Sequence, residues 1–585
     1  MNLVSFNIDD KIIDQKSLNK LKRKKNLLYS YGFQNNFSFL ERKKILIANI
    51  HSQKKGKLKK KNIDIVNESY FKLLEYLTKK LNKVHNKNYS KKFWGILIGK
   101  WLYTLVLKIN TDWQNVKKIN KKYLLKSYTK ILINEKNLIP DNTWHSHMLV
   151  RGNFKYNLFH HWIITSLIQN ILKIKANKIK INNKINLNKK LKIVDKNKLH
   201  LDRIFYKSLN NKIFFHHWNV PILMKIKLMW QYKFLQIKLR VKKVFKLKTK
   251  NINREKIFEN KPGKVNFIQF VKNTFRITFP KVFLEHFDEL EKLYLKLDWP
   301  KNPKNIFTMY PYYDDLFKFY CAKKNIKKTK IFIFQHGYDN IFRHDNWGIN
   351  KVFPATYVTY GQSGAGLKKF IFTKKLIFKK KKFKISKKNR ILLVLYAFSE
   401  INDKGPDGYI DNYLINFKIY KSCKFFLDKA SKEILNLVDL KPLTLTKNPI
   451  LENSIKQNYK NLKLIDMNKS YDDVINRYNI SVHFFLGTPF FESMYLNKPA
   501  ILILDRENQF EFDDRFNVFI KQMVKNKIIF ENVGDAIRFL NRNYENLDNW
   551  WNSRENQKLI NKFCLNFCKR PVNLRQEFLK LIKNY

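Results

Sequence analysis

Residues 480–505, ISVHFFLGTPFFESMYLNKPAILILD, hold a strand, a helix and a second strand in 26 positions and decide the fold class. Ile480–Phe485 reads as a strand. Gly487-Thr488-Pro489 marks the turn out of it. Thr488 suits an N-cap, and Pro489 suits the first helical position, where a missing N–H costs nothing. The helix reads as Pro489–Leu496, and Ala500–Leu504 is the next strand. Further on, the helix Arg515–Val524, the strand Ile528–Phe530 and the helix Val533–Tyr544 continue the alternation. Upstream, Ile391–Tyr396, Leu443–Thr446 and Leu462–Ile465 read as strands. Tyr413–Leu437 reads as a long amphipathic helix, and Ser470 caps another that ends near Tyr478. Strands and helices alternating in this way specify a doubly wound parallel sheet.

A second such unit lies earlier. Asn305–Met309 reads as a strand, and Asp314 and Asp315 open a helix with an apolar face of Leu316, Phe319 and Tyr320. Lys323 and Lys324 close that helix, so acid precedes base as the helix dipole favours. Ile331–Phe334 is the following strand, which makes a βαβ unit. The basic run 374–388 repels itself and reads as a linker. The expected architecture is therefore α/β, with two Rossmann-like doubly wound domains and a largely helical N-terminal extension. Residues 1–380 form the first part, with helical elaboration over 1–260 and a βαβ core over 300–361; residues 389–585 form the second. Helical periodicity over Tyr70–Leu81 and Tyr156–Ile174 supports the extension, and Asn177–Lys198, rich in Lys, Asn and Ile, reads as an insertion.

The formal net charge of +71 would suit a nucleic-acid binder. The lysines are spread along the whole chain, however, together with an excess of Asn, Ile, Phe and Tyr, and no nucleic-acid-reading motif is visible. A compositional origin is the first expectation, and a basic face toward anionic lipid or substrate the second. Four cysteines in 585 residues argue against a disulfide framework. The first residues lack a signal-peptide core, and the apolar stretch Phe93–Leu107 is interrupted by Lys100 and short for a span. A cytoplasmic protein, peripheral at the inner face of the plasma membrane, is expected.

The candidate site residues sit at strand ends, where open α/β sheets bind ligands. Gln335-His336-Gly337 follows the strand Ile331–Phe334. His336 suits donation to a phosphate oxygen or proton transfer from an acceptor hydroxyl near neutral pH, Gly337 a tight turn, and a satisfied structural histidine is the bland alternative. Gly487 and Thr488, with the N–H groups of Phe490 and Phe491 at the positive end of a helix, form an anion site suited to a donor phosphate. Glu492 suits a ribose diol, or serves simply as a charge favoured at a helix start. Asp505 ends the next strand, where a loop cap is the alternative. His160-His161 and His216-His217 invite a metal reading. Adjacent side chains diverge on a regular strand or helix, so no metal site is expected. Trp550-Trp551 reads as core or domain-seam packing, with a sugar-stacking platform as the alternative.

Five ordered segments resemble the transferases encoded in O-antigen and other lipopolysaccharide biosynthesis clusters. They are Phe93–Leu102 (FWGILIGKWL), Trp299–Pro303 with Asn305–Phe307, Gln335–Gly337, Phe491–Ser493 through Leu496–Ala500, and Trp550–Ser553. The chain departs from that pattern at Tyr338 and Asp339, which stand where further glycine is usual. Asp345 is the candidate for a downstream acid, and Lys441-Pro442 stands near an expected arginine. The resemblance implies a transferase role without fixing the sugar, and with the strand-end residues it leads to the expectation of a two-lobed (GT-B) glycosyltransferase that moves a sugar from a nucleotide-activated donor to a bacterial surface-polysaccharide (lipid-linked or oligosaccharide) acceptor. His336 would be catalytic; Gly487, Thr488, Phe490, Phe491, Glu492 and Asp505 would bind the donor, and Gln335, Gly337 and Asp345 would lie on the acceptor side. No cofactor or metal is expected, because the nucleotide sugar is itself a substrate. A CMP-ulosonic acid or CDP-polyol phosphate donor is the near alternative. A nucleic-acid-binding protein and a non-catalytic scaffold are the distant ones.

Overall fold

The computed structural model describes residues 2–4, 26–28, 46–47, 57–151, 158–172, 174–179, 198–208, 213–217, 222–258, 263, 265–309, 311–326, 328–334, 353, 355–359, 368–369, 390–395, 412–441, 458–459, 462–466, 469, 471–504, 514–568 and 576. The tripeptide 335–337, Asp345, Asp505, the basic run 374–388 and the strand expected at 443–446 lie outside these residues.

Five short strands open the chain: β1 (Asn2–Val4), β2 (Asn26–Leu28), β3 (Leu46–Ile47), β4 (Ser127–Ile131) and β5 (Lys175–Ile179). They form an all-parallel sheet in the order β3-β2-β1-β4-β5. The N-terminal region thus carries a parallel sheet as well as the expected helices, and the stretch read as an insertion begins inside β5. Strands of two to five residues leave almost no periodic signal, which hides them from sequence reading.

The helix Lys91–Tyr123 runs through the middle of this half. Ser90 caps it by accepting a hydrogen bond from the Phe93 amide at 3.2 Å. Every residue from Phe93 to Asn110 is buried. A helix apolar on all sides belongs in a core, and here the helices Lys57–His85, Thr143–Arg151, Leu158–Ile171 and Asp315–Ile326 pack around it. Among the described residues no helix is long and apolar enough to cross a membrane.

Next come β6 (Lys198–Ser208), β7 (Ile213–His216) and β8 (Phe234–Lys246). β6 and β8 pair as an antiparallel ribbon. β7 instead joins β9 (Asn305–Thr308), β10 (Lys330–Phe334), β11 (Thr356–Thr359) and β12 (Lys368–Lys369) in a second all-parallel sheet, ordered β12-β11-β10-β9-β7. The βαβ unit read from the sequence is β9, the helix Asp315–Ile326 and β10. Asp314 caps that helix, its Oδ1 accepting from the Phe317 amide at 2.9 Å.

The third sheet comprises β13 (Ile391–Val394), β14 (Val438–Lys441), β15 (Lys463–Leu464), β16 (Ile480–His483), β17 (Ala500–Ile503) and β18 (Ile529–Phe530). Its order is β15-β14-β13-β16-β17-β18, all parallel. Counted from its first strand this is 3-2-1-4-5-6, the Rossmann order, with the switch point between β13 and β16. β14 lies at 438–441, ahead of the expected strand, because Asp439 and Lys441 disguise it. Asp439 is tolerated in the sheet centre, 1% exposed, because Arg390 grips its carboxylate with two nitrogens and the Tyr478 hydroxyl donates to it at 2.6 Å. Charge that is paired and hydrogen-bonded escapes most of the burial penalty.

Candidate functional site

At the carboxyl end of β16 the chain turns through Phe484–Gly487 into the helix Thr488–Leu496, beside the switch point. Gly487, not Thr488, is the N-cap, with φ −140° and ψ 177° and no side-chain cap bond. The helix therefore starts one residue earlier than the position of Pro489 suggested. Two expectations change with it. The Phe490 amide is taken by the Gly487 carbonyl at 3.0 Å. Phe491 stands a full turn in, where the helical ladder uses the N–H groups. Gly487 and Thr488 remain as the partly exposed residues of the turn. The Phe490 and Phe491 rings are core, packed with Phe516 and Phe563. Glu492 falls beyond the first turn and is 4% exposed, so it is not a solvated charge at a helix start.

A buried polar cluster fixes this helix on its sheet. The Tyr471 hydroxyl lies 2.6 Å from Ser493 Oγ and donates to Ser481 Oγ at 3.0 Å, and Ser481 Oγ is 2.9 Å from His483 Nε2. Burial pushes the His483 imidazole down to about 3. At the other end Asn497 adopts a left-handed conformation, φ 55°. Trp551 donates to both its carbonyl and its side-chain oxygen, each at 3.2 Å, and Gln557 donates to the same side chain at 3.1 Å. Two motifs quoted from distant parts of the sequence, Leu496–Ala500 and Trp550–Ser553, are thus one clamp on the helix. Lys441 ends β14 at the same edge of the sheet. Its ammonium donates to the Asp466 carbonyl at 3.2 Å, and burial lowers its pKa.

The N-terminal half holds a cleft that the sequence reading missed, lined by Lys100, Trp101, Thr104, Thr143, Ser146, His147 and Tyr313. The Tyr313 hydroxyl lies 3.2 Å from His147 Nδ1, and the Lys100 ammonium lies 5.4 Å from the centre of the Tyr312 ring. Lys100 and Trp101 belong to the quoted motif at 93–102, the one signal that pointed here.

The two histidine pairs behave differently. His160 and His161 diverge as expected. His160 Nδ1 meets Lys108 Nζ at 2.5 Å, whereas His161 Nε2 accepts from the Ile131 amide at 2.9 Å and burial pushes its pKa down to about 3. His216 and His217 converge, with ring centroids 4.3 Å apart. His217 has φ 47°, which breaks the strand alternation that would have sent the rings to opposite faces.

Neutral buried histidines make the fold acid-sensitive. Burial also pushes His85 down to about 4, against a backbone hydrogen bond to Phe283 that favours its charged form. For His85, His161 and His483 the folded pKa lies below the unfolded value of about 6.5, so the unfolded chain binds more protons below that pH. Their contribution is complete above pH 6.5 and shrinks as pH falls through the window down to the folded values. Melting temperature is expected to drop steadily from pH 7 to pH 5 in constant salt; a flat profile would contradict it.

The fold is that of a doubly wound α/β protein, with the Gly487–Thr488 turn at a Rossmann switch point. The chain belongs to the LIC12162 family of transferases, whose model matches residues 22–582. No curated protein matches. Among solved structures, Anabaena HepE in complex with UDP-glucose is similar at 9% identity, over 52% of this chain and 84% of that one, with a TM-score of 0.33. The wall teichoic acid polymerase TagF is similar at 10%, over 64% and 89%, with a TM-score of 0.30. Spinosyn rhamnosyltransferase SpnG is similar at 9%, over 50% and 76%, with a TM-score of 0.29.

Proposed function

We propose that this transferase is a two-lobed glycosyltransferase that moves a sugar from a nucleotide-activated donor to a bacterial surface-polysaccharide acceptor of the O-antigen or lipopolysaccharide kind. The observation that carries the reading is the Gly487–Thr488 turn at the switch point of a 3-2-1-4-5-6 sheet in a chain of transferase family. Residues 389–585 hold the donor. Its phosphates meet the amides of the turn at the positive end of the helix, and Glu492 and Asp505 serve the nucleoside side. Residues 1–380 present the acceptor, with Gln335, Gly337 and Asp345 on that side. His336 takes the proton of the acceptor hydroxyl as its oxygen bonds to the anomeric carbon. The bond from that carbon to the donor phosphate breaks, and the nucleotide leaves with its charge stabilised by the turn. Contact with an anionic membrane is supported by Leu223, Ile226 and Trp230, exposed at 71, 51 and 87% along one face of the helix Ile222–Gln231, beside Lys225 and Lys227.

Thermal melting with UDP, CDP, CMP and their sugar adducts tests the reading, because a ligand that binds only the folded form raises the melting temperature. Stabilisation by UDP species supports the sugar donor, and stabilisation by CMP or CDP alone replaces it with the ulosonic acid or polyol phosphate donor. If no nucleotide stabilises the protein, the proposal fails. Gly487→Ala sharpens the test. Its φ suits any residue, and an added Cβ would meet Phe485 Cδ1 at 3.4 Å, an ordinary contact. The variant is expected to melt like the wild type yet bind the nucleotide about tenfold more weakly, because the methyl group stands where phosphate approaches the backbone. Unchanged affinity would move the donor elsewhere. Loss of transfer in His336→Ala and in Glu492→Ala is expected in the same assay.

A further inference from the structure

We propose that His216, His217 and Asp314 form a binding site for a first-row divalent cation of the zinc or manganese type, at the carboxyl end of the second parallel sheet. Each residue offers one donor atom, and the three atoms lie within 4.8 Å of one another. His216 Nε2 is 3.4 Å and His217 Nε2 is 3.7 Å from the same oxygen, Asp314 Oδ2. Those separations exceed the usual hydrogen-bond range of about 2.7–3.2 Å. The first matches the edge of a coordination shell, because metal bonds of about 2.0–2.1 Å put tetrahedral donors roughly 3.3–3.5 Å apart, and the more exposed His217 has only a few tenths of an ångström to close on a bound ion. Two imidazoles and one carboxylate favour a first-row cation, zinc most strongly, over magnesium or calcium, which take oxygen donors alone.

The surroundings hold the donors in place. Asp314 Oδ1 accepts from the Phe317 amide at 2.9 Å, which turns Oδ2 toward the histidines. The Phe317 ring stacks on His216, with centroids 3.8 Å apart and planes 6° from parallel. The His217 carbonyl accepts from the Met309 amide at 3.3 Å, which ties the end of β7 to the end of β9. A non-glycine residue at φ 47° is a strained placement that clusters at functional sites, and here it brings the second imidazole to the first. Burial is graded outward: the side chains are 1% exposed at His216, 18% at Asp314 and 35% at His217. Three protein donors with one open side leave a coordination position for water or a substrate oxygen. β9 separates β7 from β10, whose last residue, Phe334, immediately precedes Gln335-His336-Gly337 in the chain. These residues make up the site by themselves, independently of the transferase chemistry.

The test uses the full-length chain without an affinity tag, stripped with EDTA and titrated calorimetrically with Zn2+, Mn2+ and Mg2+. One equivalent of Zn2+ or Mn2+ is expected to bind, with Mg2+ weaker, and the bound ion is expected to raise the melting temperature. His217→Ala removes the most exposed donor. Asp314→Asn keeps an oxygen to cap the helix while removing the charge. Both are expected to melt like the metal-free wild type and to lose on the order of a hundredfold in affinity. Co2+ loaded into the wild type is expected to show visible d–d absorption that His217→Ala abolishes. The proposal is overturned if the stripped wild type takes up no equivalent of either ion, or if both variants bind as tightly as it does. Neither result bears on whether a nucleotide binds at Gly487.

Discussion

Lys318→Met is expected to lower stability by about 3–5 kcal/mol, the cost of leaving a buried carboxylate without its cation. The Lys318 side chain is 0% and that of Asp315 2% exposed, and they pair at 2.9 Å. The ammonium also donates to the Leu97 carbonyl and to Thr143 Oγ1, each at 2.8 Å, while the Thr143 amide donates to Asp315 Oδ2 at 3.0 Å. Burial lowers the Lys318 pKa, opposed by the charge of Asp315. The pair therefore stitches the βαβ helix to the central helix and to Thr143, beside the cleft at Lys100. Truncating one partner removes a cation from an arrangement that offers its carboxylate no water. Replacing both, as Lys318→Met with Asp315→Leu, is expected to recover much of the loss, because paired apolar groups of similar volume avoid the desolvation cost. Denaturant unfolding of the single and double variants checks both statements. A single variant within about 1 kcal/mol of wild type would show that the carboxylate finds another partner or simply protonates.

Trp551→Ala is expected to cost a similar amount, about 3–5 kcal/mol, through a large cavity in the C-terminal core. The residue is 0% exposed and packs in the cluster that contains Phe491, Met494 and Phe563. Trp551→Phe separates packing from hydrogen bonding: it keeps most of the ring contact but removes the donor shared by the Asn497 carbonyl and side-chain oxygen. A loss of roughly 1–3 kcal/mol is expected there. Both variants loosen the C-terminal end of the helix that begins at Gly487, so nucleotide affinity is expected to fall with stability in Trp551→Ala. An alanine variant that keeps both would contradict the clamp.

The sequence carried the alternation of elements well where strands are apolar and helices have clear stops. Ile331–Phe334, Ile480–Phe485 and Ala500–Leu504 all announced themselves as runs without charge, and their strands lie within or beside those bounds. It failed where charge is buried by pairing. β14 contains Asp439 and Lys441, and partners remote in sequence make that strand tolerable, Arg390 and Tyr478 for the carboxylate and the Asp466 carbonyl for the ammonium. It also failed at the cap. Proline at the first helical position is a preference, and the backbone at Gly487 placed the start one residue sooner. The cleft at Lys100 drew on residues from three separated segments, so no local pattern revealed it.

What the sequence by itself determined is the class: repeated apolar strands alternating with helices leave a parallel, doubly wound sheet as the way to bury both faces of each strand. What only the tertiary structure decided is which distant residues share a site. Periodicity predicted that His160 and His161 part and that His216 and His217 part too. The left-handed backbone at His217, held by the end of β9, brought the second pair together opposite Asp314. Side-chain direction follows local dihedrals, and at that residue the dihedrals follow contacts made almost a hundred positions away in the chain.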